Sequence, residues 1–120
     1  DRHNEGYGLN VEVIKRLAAP DTLLITVDCG ISSVDEVAFA KQNGMDVIVT
    51  DHHNLPEQLP NCIIINPKIE SEYGFDQLCG AGVAFKVSQA LLGIEEADEF
   101  VDLASIATIA DIVPDLIELI

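Results

Sequence analysis

Three short stretches of this 120-residue chain carry side chains that can bind a cation or move a proton. They are Asp28-Cys29-Gly30, Asp51-His52-His53, and Asp111 within the apolar stretch 109–112. Carboxylates and imidazoles without a cysteine pair form a ligand set suited to manganese, magnesium or zinc. A carboxylate in the apolar surroundings of Asp111 is costly to bury unless a cation or a hydrogen-bond donor compensates its charge. The three stretches therefore indicate a divalent-metal site.

Each stretch also has a plain structural interpretation. Asp28 before a glycine suits the cap of a turn, and adjacent histidines on a loop are commonly only solvated. Asp111 suits the end of a helix, with backbone amides as its partners. Cys29 is better explained as a small packed thiol than as a nucleophile, because no histidine adjoins it in sequence. The metal interpretation depends on where the fold places all three stretches.

The pattern of apolar residues predicts an α/β fold with an open, mainly parallel sheet and helices on both faces. Short continuous apolar runs are typical of strands buried on both faces, and they occur at 23–27, 47–50 and 62–65. Helical patterns cover 8–17, 33–43, 83–92 and 95–109. Asp28 and the Asp51 to His53 stretch each follow a predicted strand. Because ligands bind beyond the carboxyl ends of parallel strands, these side chains are expected to converge on one crevice.

The segment Gly80-Ala81-Gly82 is predicted to open a helix. Free backbone amides at a helix N-terminus attract anions such as phosphate, so Gly80 and Gly82 are candidate substrate-binding residues. Close helix packing or a tight turn explains the same glycines. Arg2 and Lys86, two of only six basic residues, are further candidates for a phosphate contact, although a solvated position is the default for both.

The composition excludes several classes of protein. A net charge of −15 argues against a basic nucleic-acid-binding module and against binding to anionic membranes, because both need clustered Lys and Arg. No apolar run approaches the ~20 residues of a membrane helix. The three cysteines are widely spaced and suit a reducing cytoplasm better than a disulfide framework. With 48% hydrophobic residues, the chain has enough apolar material for one domain with a real core.

The ordered set of motifs resembles the DHH phosphoesterase superfamily, and within it the RecJ-type single-stranded-DNA-specific exonucleases. The matching stretches lie at 2–10, 26–32, 50–53, 64–68, 78–86 and 104–114, and include Thr26-Val27-Asp28-Cys29-Gly30, Thr50-Asp51-His52-His53 and Ala110-Asp111-Ile112-Val113-Pro114. They span nearly the whole chain and occur in the family's order. Such a set is far more specific than the three letters DHH alone.

The resemblance implies that Asp28, His52 and Asp111 ligate a catalytic divalent metal, which is usually manganese or magnesium in this family. It further implies that His53 belongs to the catalytic centre near the scissile phosphate, and that Asp51 orients its neighbours. The implied reaction is hydrolysis of phosphodiester bonds in single-stranded DNA from the 5′ end, in DNA repair and recombination.

The resemblance also predicts that residues 1–120 are only part of a catalytic domain. An upstream acidic Asp-x-Asp motif and downstream substrate-gripping domains are expected to lie outside them. Arg2, in the first matching stretch, would help to hold substrate phosphate. Residues 95–120 contain eight acidic side chains and no Lys or Arg, so a positive channel for a single strand would have to come from elsewhere. These 120 residues alone are therefore expected to be inactive.

Two other functions stay open. A phosphodiesterase of short oligonucleotides or cyclic dinucleotides, or a pyrophosphatase, would use the same metal ligands on a different substrate. The stretches 5–8 and 80–86 favour the exonuclease. A non-enzymatic scaffold of the same fold is a third possibility, and the presence of all four ligand-type residues, Asp28, His52, His53 and Asp111, speaks against it.

Overall fold

The structure, a computed structural model, describes residues 8–69 and 74–113. Within these ranges the helices are α1 (Val11–Leu17), α2 (Val34–Gln42), α3 (Gly80–Leu92), α4 (Ile94–Ala97) and α5 (Val101–Ala110). The strands are β1 (Thr22–Val27), β2 (Met45–Thr50) and β3 (Ile63–Ile65). The predicted α/β class is thereby confirmed. The predicted helix over 95–109 is divided, because a 3₁₀ turn at Asp98–Phe100 joins α4 to α5.

The three strands form one parallel sheet in the order β1-β2-β3, as the sequence predicts. Val27 pairs with Thr50, and Thr50 pairs with Ile65, so all three strands end at one edge. The ladder continues one residue further, because Asp28 N–H donates to the Thr50 carbonyl (3.0 Å) and Asp51 N–H donates to the Ile65 carbonyl (3.1 Å). The register therefore places both candidate acidic segments at the same edge of the sheet.

One face of the sheet is buried beneath α1 and α2. The core of this layer is entirely aliphatic apart from one methionine, and consists of Ile14, Val37, Ala40, Met45, Val47 and Val49. Alternate residues of β2 point into it, as expected when one face of a strand is packed. A second, smaller core joins the C-terminal helices and consists of Phe85, Ala97 and Ala104. Helix α3 contacts both β1 and β2, and so connects the two layers.

The prediction that the first strand is buried on both faces is wrong for the described residues. Leu23, Ile25 and Val27 of β1 are all about half exposed, at 52%, 50% and 54%. Ile63 and Ile65 of β3 are exposed in the same way. A continuous apolar run therefore correctly predicted a strand here, but one of its faces carries no cover within residues 8–69 and 74–113.

The described helices are all short. The longest, α3, has 13 residues, and among the described residues no helix combines the length and apolar character needed to cross a membrane.

Candidate metal centre

Asp51 anchors the segment that follows β2. Its side chain is only 1% exposed, and its carboxylate accepts hydrogen bonds from two directions. Oδ2 accepts from Ile31 N–H at 2.9 Å, which ties the loop after β1 to the end of β2. Oδ1 accepts from the backbone N–H groups of His52 (2.8 Å) and His53 (3.2 Å), and lies 2.6 Å from His53 Nδ1. The carboxylate thus fixes the backbone of both histidines and holds the proton of the His53 ring on Nδ1.

The pKa of Asp51 reflects these contacts. Burial by itself would raise the pKa of this carboxyl group, because it disfavours the charged form. The hydrogen bonds from Ile31, from the His53 ring and from the two histidine amides outweigh that effect, and the pKa lies below its usual value. Asp51 is therefore a buried carboxylate that stays ionised because it is fully hydrogen-bonded.

His52 lies between two other carboxylates. Its Nε2 is 3.0 Å from Asp28 Oδ1, and its Nδ1 is 3.7 Å from Asp111 Oδ2. The imidazole is mostly covered, at 18% exposure, whereas the side chains of Asp28 and Asp111 are 52% and 48% exposed. Side chains from the segment after β1, the segment after β2 and the end of α5 therefore lie around one partly open position. These segments are up to 83 residues apart in sequence.

Asp28 has an unusual backbone conformation with φ +62°, in the left-handed region that few residues other than glycine adopt. Its carboxylate abuts Gly80, the first residue of α3, so closely that a Cβ at Gly80 would overlap it. A side chain at position 80 would therefore displace either Asp28 or the start of α3. This contact links two motifs that the sequence pattern gave no reason to pair.

Asp111 is the C-cap residue of α5. The helix ends in a Schellman arrangement, in which Ile112 N–H donates to Ile109 O (3.2 Å) and Val113 N–H donates to Thr108 O (3.2 Å). Ile112 occupies the left-handed position with φ +52°, where glycine is usual. Because the C-terminal end of a helix carries partial negative charge, an acidic side chain there is unfavourable without a nearby cation.

The donor set fits a divalent cation. Asp28, His52 and His53 each offer one ligand atom, and these atoms all lie within 4.8 Å of one another. Asp111 approaches the same imidazole from its other nitrogen. Carboxylate oxygen and imidazole nitrogen are ligands that manganese, magnesium and zinc accept. The structure thus brings together two of the three residues predicted as ligands, Asp28 and His52, and it adds His53, which the resemblance places near the substrate phosphate. Asp111 lies at the other nitrogen of His52 and outside this group of ligand atoms.

The remaining predicted residues lie in different surroundings. Gly80 and Gly82 are buried at the start of α3, as the prediction of a helix opening there requires. The Gly82 N–H donates to Cys79 Sγ at 3.3 Å, and is therefore already used in capping the helix. Lys86 Nζ donates to Gln89 Oε1 on the same helix. Arg2 lies outside the described residues.

Cys29 agrees with its structural interpretation. Burial raises the pKa of its thiol, and the neighbouring charges of Asp51 and Asp28 raise it further. A cysteine acts as a nucleophile through its thiolate, so this environment favours a protonated, packed thiol.

The fold and the site together define an α/β protein with an Asp/His cluster suited to a metal at the carboxyl edge of its sheet. The profile described as the DHH family, N-terminal domain, matches residues 3–113. The chain therefore belongs to the DHH family.

Similar proteins are single-stranded-DNA-specific exonucleases named RecJ. The one from Bacillus subtilis is 49% identical over 117 residues, which are 95% of this chain and 15% of that protein. The one from Haemophilus influenzae is 42% identical over 130 residues, covering 95% of this chain and 22% of that protein. The chain thus spans less than a quarter of the length of these two relatives.

Solved structures agree with this relationship. A crystal structure of exonuclease RecJ bound to manganese superposes with a TM-score of 0.81 at 36% identity, covering 94% of this chain and 30% of that one. The structure of RecJ in complex with Mn²⁺ from Thermus thermophilus gives a TM-score of 0.74 at 34% identity, covering 87% of this chain and 16% of that one. The superposition over 94% of this chain shows that the arrangement of the sheet and its helices is shared.

Proposed function

We propose that Asp28, His52 and Asp111 hold a catalytic divalent cation, manganese or magnesium, in a protein that hydrolyses phosphodiester bonds of single-stranded DNA from the 5′ end. The observation that carries this proposal is that ligand atoms of Asp28, His52 and His53 all lie within 4.8 Å of one another, with Asp111 3.7 Å from the other nitrogen of His52. Two half-exposed carboxylates close to one imidazole concentrate negative charge at an accessible edge, and a cation relieves their repulsion. The manganese bound by similar proteins supports the same choice of ion.

Some of these residues would bind the ion, and others would hold the binding residues in position. Such a cation supplies an activated water and neutralises charge on the phosphoryl oxygens. Asp51 keeps the backbone of His52 and His53 in place, and by accepting a hydrogen bond from His53 Nδ1 it leaves Nε2 as the ring nitrogen available to a cation or a substrate. His53 is 48% exposed, so its ring is accessible to a substrate phosphate. We assign His53 the role of contacting that phosphate or donating a proton beside it.

Substrate binding requires residues beyond this cluster. The net charge of −15 opposes approach of a polyanion at long range. We therefore propose that the remainder of a longer polypeptide supplies the positive surface that tracks a single strand, and that residues 1–120 alone hydrolyse DNA poorly. Of the two glycines predicted to contact phosphate, Gly80 lies against Asp28 and so beside the proposed cation, whereas the Gly82 N–H already donates to Cys79 Sγ. The cytoplasmic location stays a prediction, supported by three free cysteines.

Metal binding is the first test. Mn²⁺ titrated calorimetrically into the chain should bind, and Asp28→Asn should weaken that binding, because the variant keeps the shape of the side chain but loses its charge. Asp46→Asn is the matched control, since Asp46 is an exposed carboxylate near the opposite end of β2. Equal Mn²⁺ affinity in all three proteins would contradict the assignment of Asp28.

Substrate preference is the second test, made on the intact protein that contains these residues. Hydrolysis of a 5′-labelled single-stranded oligonucleotide should greatly exceed hydrolysis of a dinucleotide under the same Mn²⁺ concentration. The reverse preference would favour the oligonucleotide or cyclic-dinucleotide phosphodiesterase.

A further inference from the structure

Two buried threonines connect β1 and β2 at the edge where the site lies. Thr26 is 4% exposed and Thr50 is 2% exposed. Thr50 Oγ1 donates to the Thr26 carbonyl at 2.6 Å, and the Thr50 N–H donates to Thr26 Oγ1 at 3.3 Å. These bonds connect the two strands through side chains, in addition to the backbone ladder. They lie just before the metal-site residues that follow each strand.

The Thr26 hydroxyl also closes the turn that carries Asp28. Thr26 Oγ1 donates to the Cys29 carbonyl at 2.6 Å, so the hydrogen bond spans Asp28 from the residue two before it to the residue after it. Asp28 sits inside this loop with φ +62°. A residue in this conformation persists only where the surroundings hold it. The Thr26 hydroxyl provides one such constraint on the Asp28 turn, beside the backbone bond from Asp28 N–H to the Thr50 carbonyl.

The space around Thr26 is tightly filled. A Cβ at Gly30 would lie 2.9 Å from Thr26 Oγ1 and 3.3 Å from Val49, so the loop after Asp28 packs directly on the hydroxyl. The Thr26 hydroxyl therefore donates to the Cys29 carbonyl in the Asp28 turn, and it accepts a hydrogen bond from the Thr50 N–H directly before Asp51. It joins the two segments whose side chains, Asp28 and His52, approach to 3.0 Å.

We propose that Thr26 is a positioning residue, whose hydroxyl sets the separation of Asp28 and His52 and thereby the affinity of the site for its divalent cation. This inference rests on the proposed function in so far as Asp28 and His52 are metal ligands. The preference of strands for β-branched residues does not account for the hydroxyl, because valine has the same shape and the same preference. The role assigned here belongs to the Oγ1 atom alone.

The test compares isosteric and conservative variants in direct binding. Thr26→Val keeps the shape and removes the hydroxyl, whereas Thr26→Ser keeps the hydroxyl. The control is Thr22→Val, at the start of the same strand and about 13 Å away. Mn²⁺ affinity is measured by calorimetry, and the free energy of unfolding is measured in urea without metal. We expect Thr26→Val to weaken Mn²⁺ binding about tenfold or more, the size seen when an outer partner of a metal ligand is lost. Thr26→Ser and Thr22→Val should stay within about twofold of the wild type.

The outcomes separate this inference from the proposed function. If the wild type binds Mn²⁺ and folded Thr26→Val binds it equally well, Thr26 is only structural and the inference fails while the metal site stands. If the wild type binds no Mn²⁺, the metal site fails and this inference with it. Should Thr26→Val not fold, Thr26→Ala compared with Thr26→Ser decides, because both lack the γ-methyl group and only serine keeps the hydroxyl that bonds to the Cys29 carbonyl. Equal Mn²⁺ affinity in these two variants would then overturn the inference, and binding about tenfold weaker in Thr26→Ala would support it.

Discussion

The candidate metal centre has two parts that are held in opposite ways. Asp51 is buried, and its carboxylate accepts four hydrogen bonds. Asp28 and Asp111 are about half exposed, and each approaches the same imidazole. Hydrogen bonds to a buried charge stabilise a fold, whereas exposed charge pairs contribute little. One carboxylate therefore stabilises the framework, while the other two keep their charge available for a cation.

Replacement of a proposed metal ligand should therefore remove the proposed activity without unfolding the chain. In the intact protein, Asp28→Asn should lower metal-dependent hydrolysis by more than the roughly 10- to 100-fold that loss of an outer partner costs. The free energy of unfolding without metal should change by less than about 1 kcal/mol, because the side chain is half exposed and asparagine tolerates its left-handed backbone. Initial rates at saturating Mn²⁺ and urea denaturation measure the two effects, with Asp46→Asn as control. Full activity in Asp28→Asn would remove this residue from the site.

Replacement of Asp51 should, in contrast, lower the stability of the fold. Asp51→Asn puts an NH₂ group among four donors, so we expect it to lower the free energy of unfolding by about 2–4 kcal/mol. Urea denaturation of the metal-free chain measures this loss, and Asp46→Asn again supplies a change of the same charge at an exposed position. A loss below about 0.5 kcal/mol in Asp51→Asn would abolish the distinction between the two parts.

The anchor should also make stability depend on pH. Because the pKa of Asp51 is lower in the folded chain than its usual value, the ionised form is favoured by folding. This stabilisation is fully present above the ordinary carboxyl pKa of about 3.9 and is lost as the pH falls through the lower pKa of the folded chain. Urea denaturation between pH 6 and pH 2.5 measures the free energy of unfolding of the wild type and of Asp51→Asn. The difference between these two free energies should become smaller below about pH 4. A constant gap across that range would mean that Asp51 does not titrate as its contacts require.

The sequence predicted local structure better than it predicted contacts. The runs at 23–27, 47–50 and 62–65 each fall on an observed strand, because a short apolar, β-branched run has few other stable conformations. The shared edge of Asp28 and Asp51 followed from parallel pairing alone. Neither the approach of Gly80 to Asp28 nor the double use of the Thr26 hydroxyl has a local signal, since each joins segments that only the tertiary fold brings together. The available signal in the sequence is a threonine just before each acidic motif, namely Thr26 before Asp28 and Thr50 before Asp51.

The end of α5 provides the smallest expected effect and the sharpest check on how Asp111 is placed. Ile112 adopts φ +52° and is 85% exposed, so it has backbone strain with little burial in return. Ile112→Gly should relieve that strain and raise the free energy of unfolding by about 1 kcal/mol, because glycine adopts the left-handed conformation freely. Ile112→Ala removes most of the same side chain but keeps Cβ, so it should gain less. Thermal and urea denaturation of both variants measure the difference. If alanine and glycine were equivalent, position 112 would not hold a left-handed conformation, and the Schellman end that presents Asp111 to His52 would have to be redrawn.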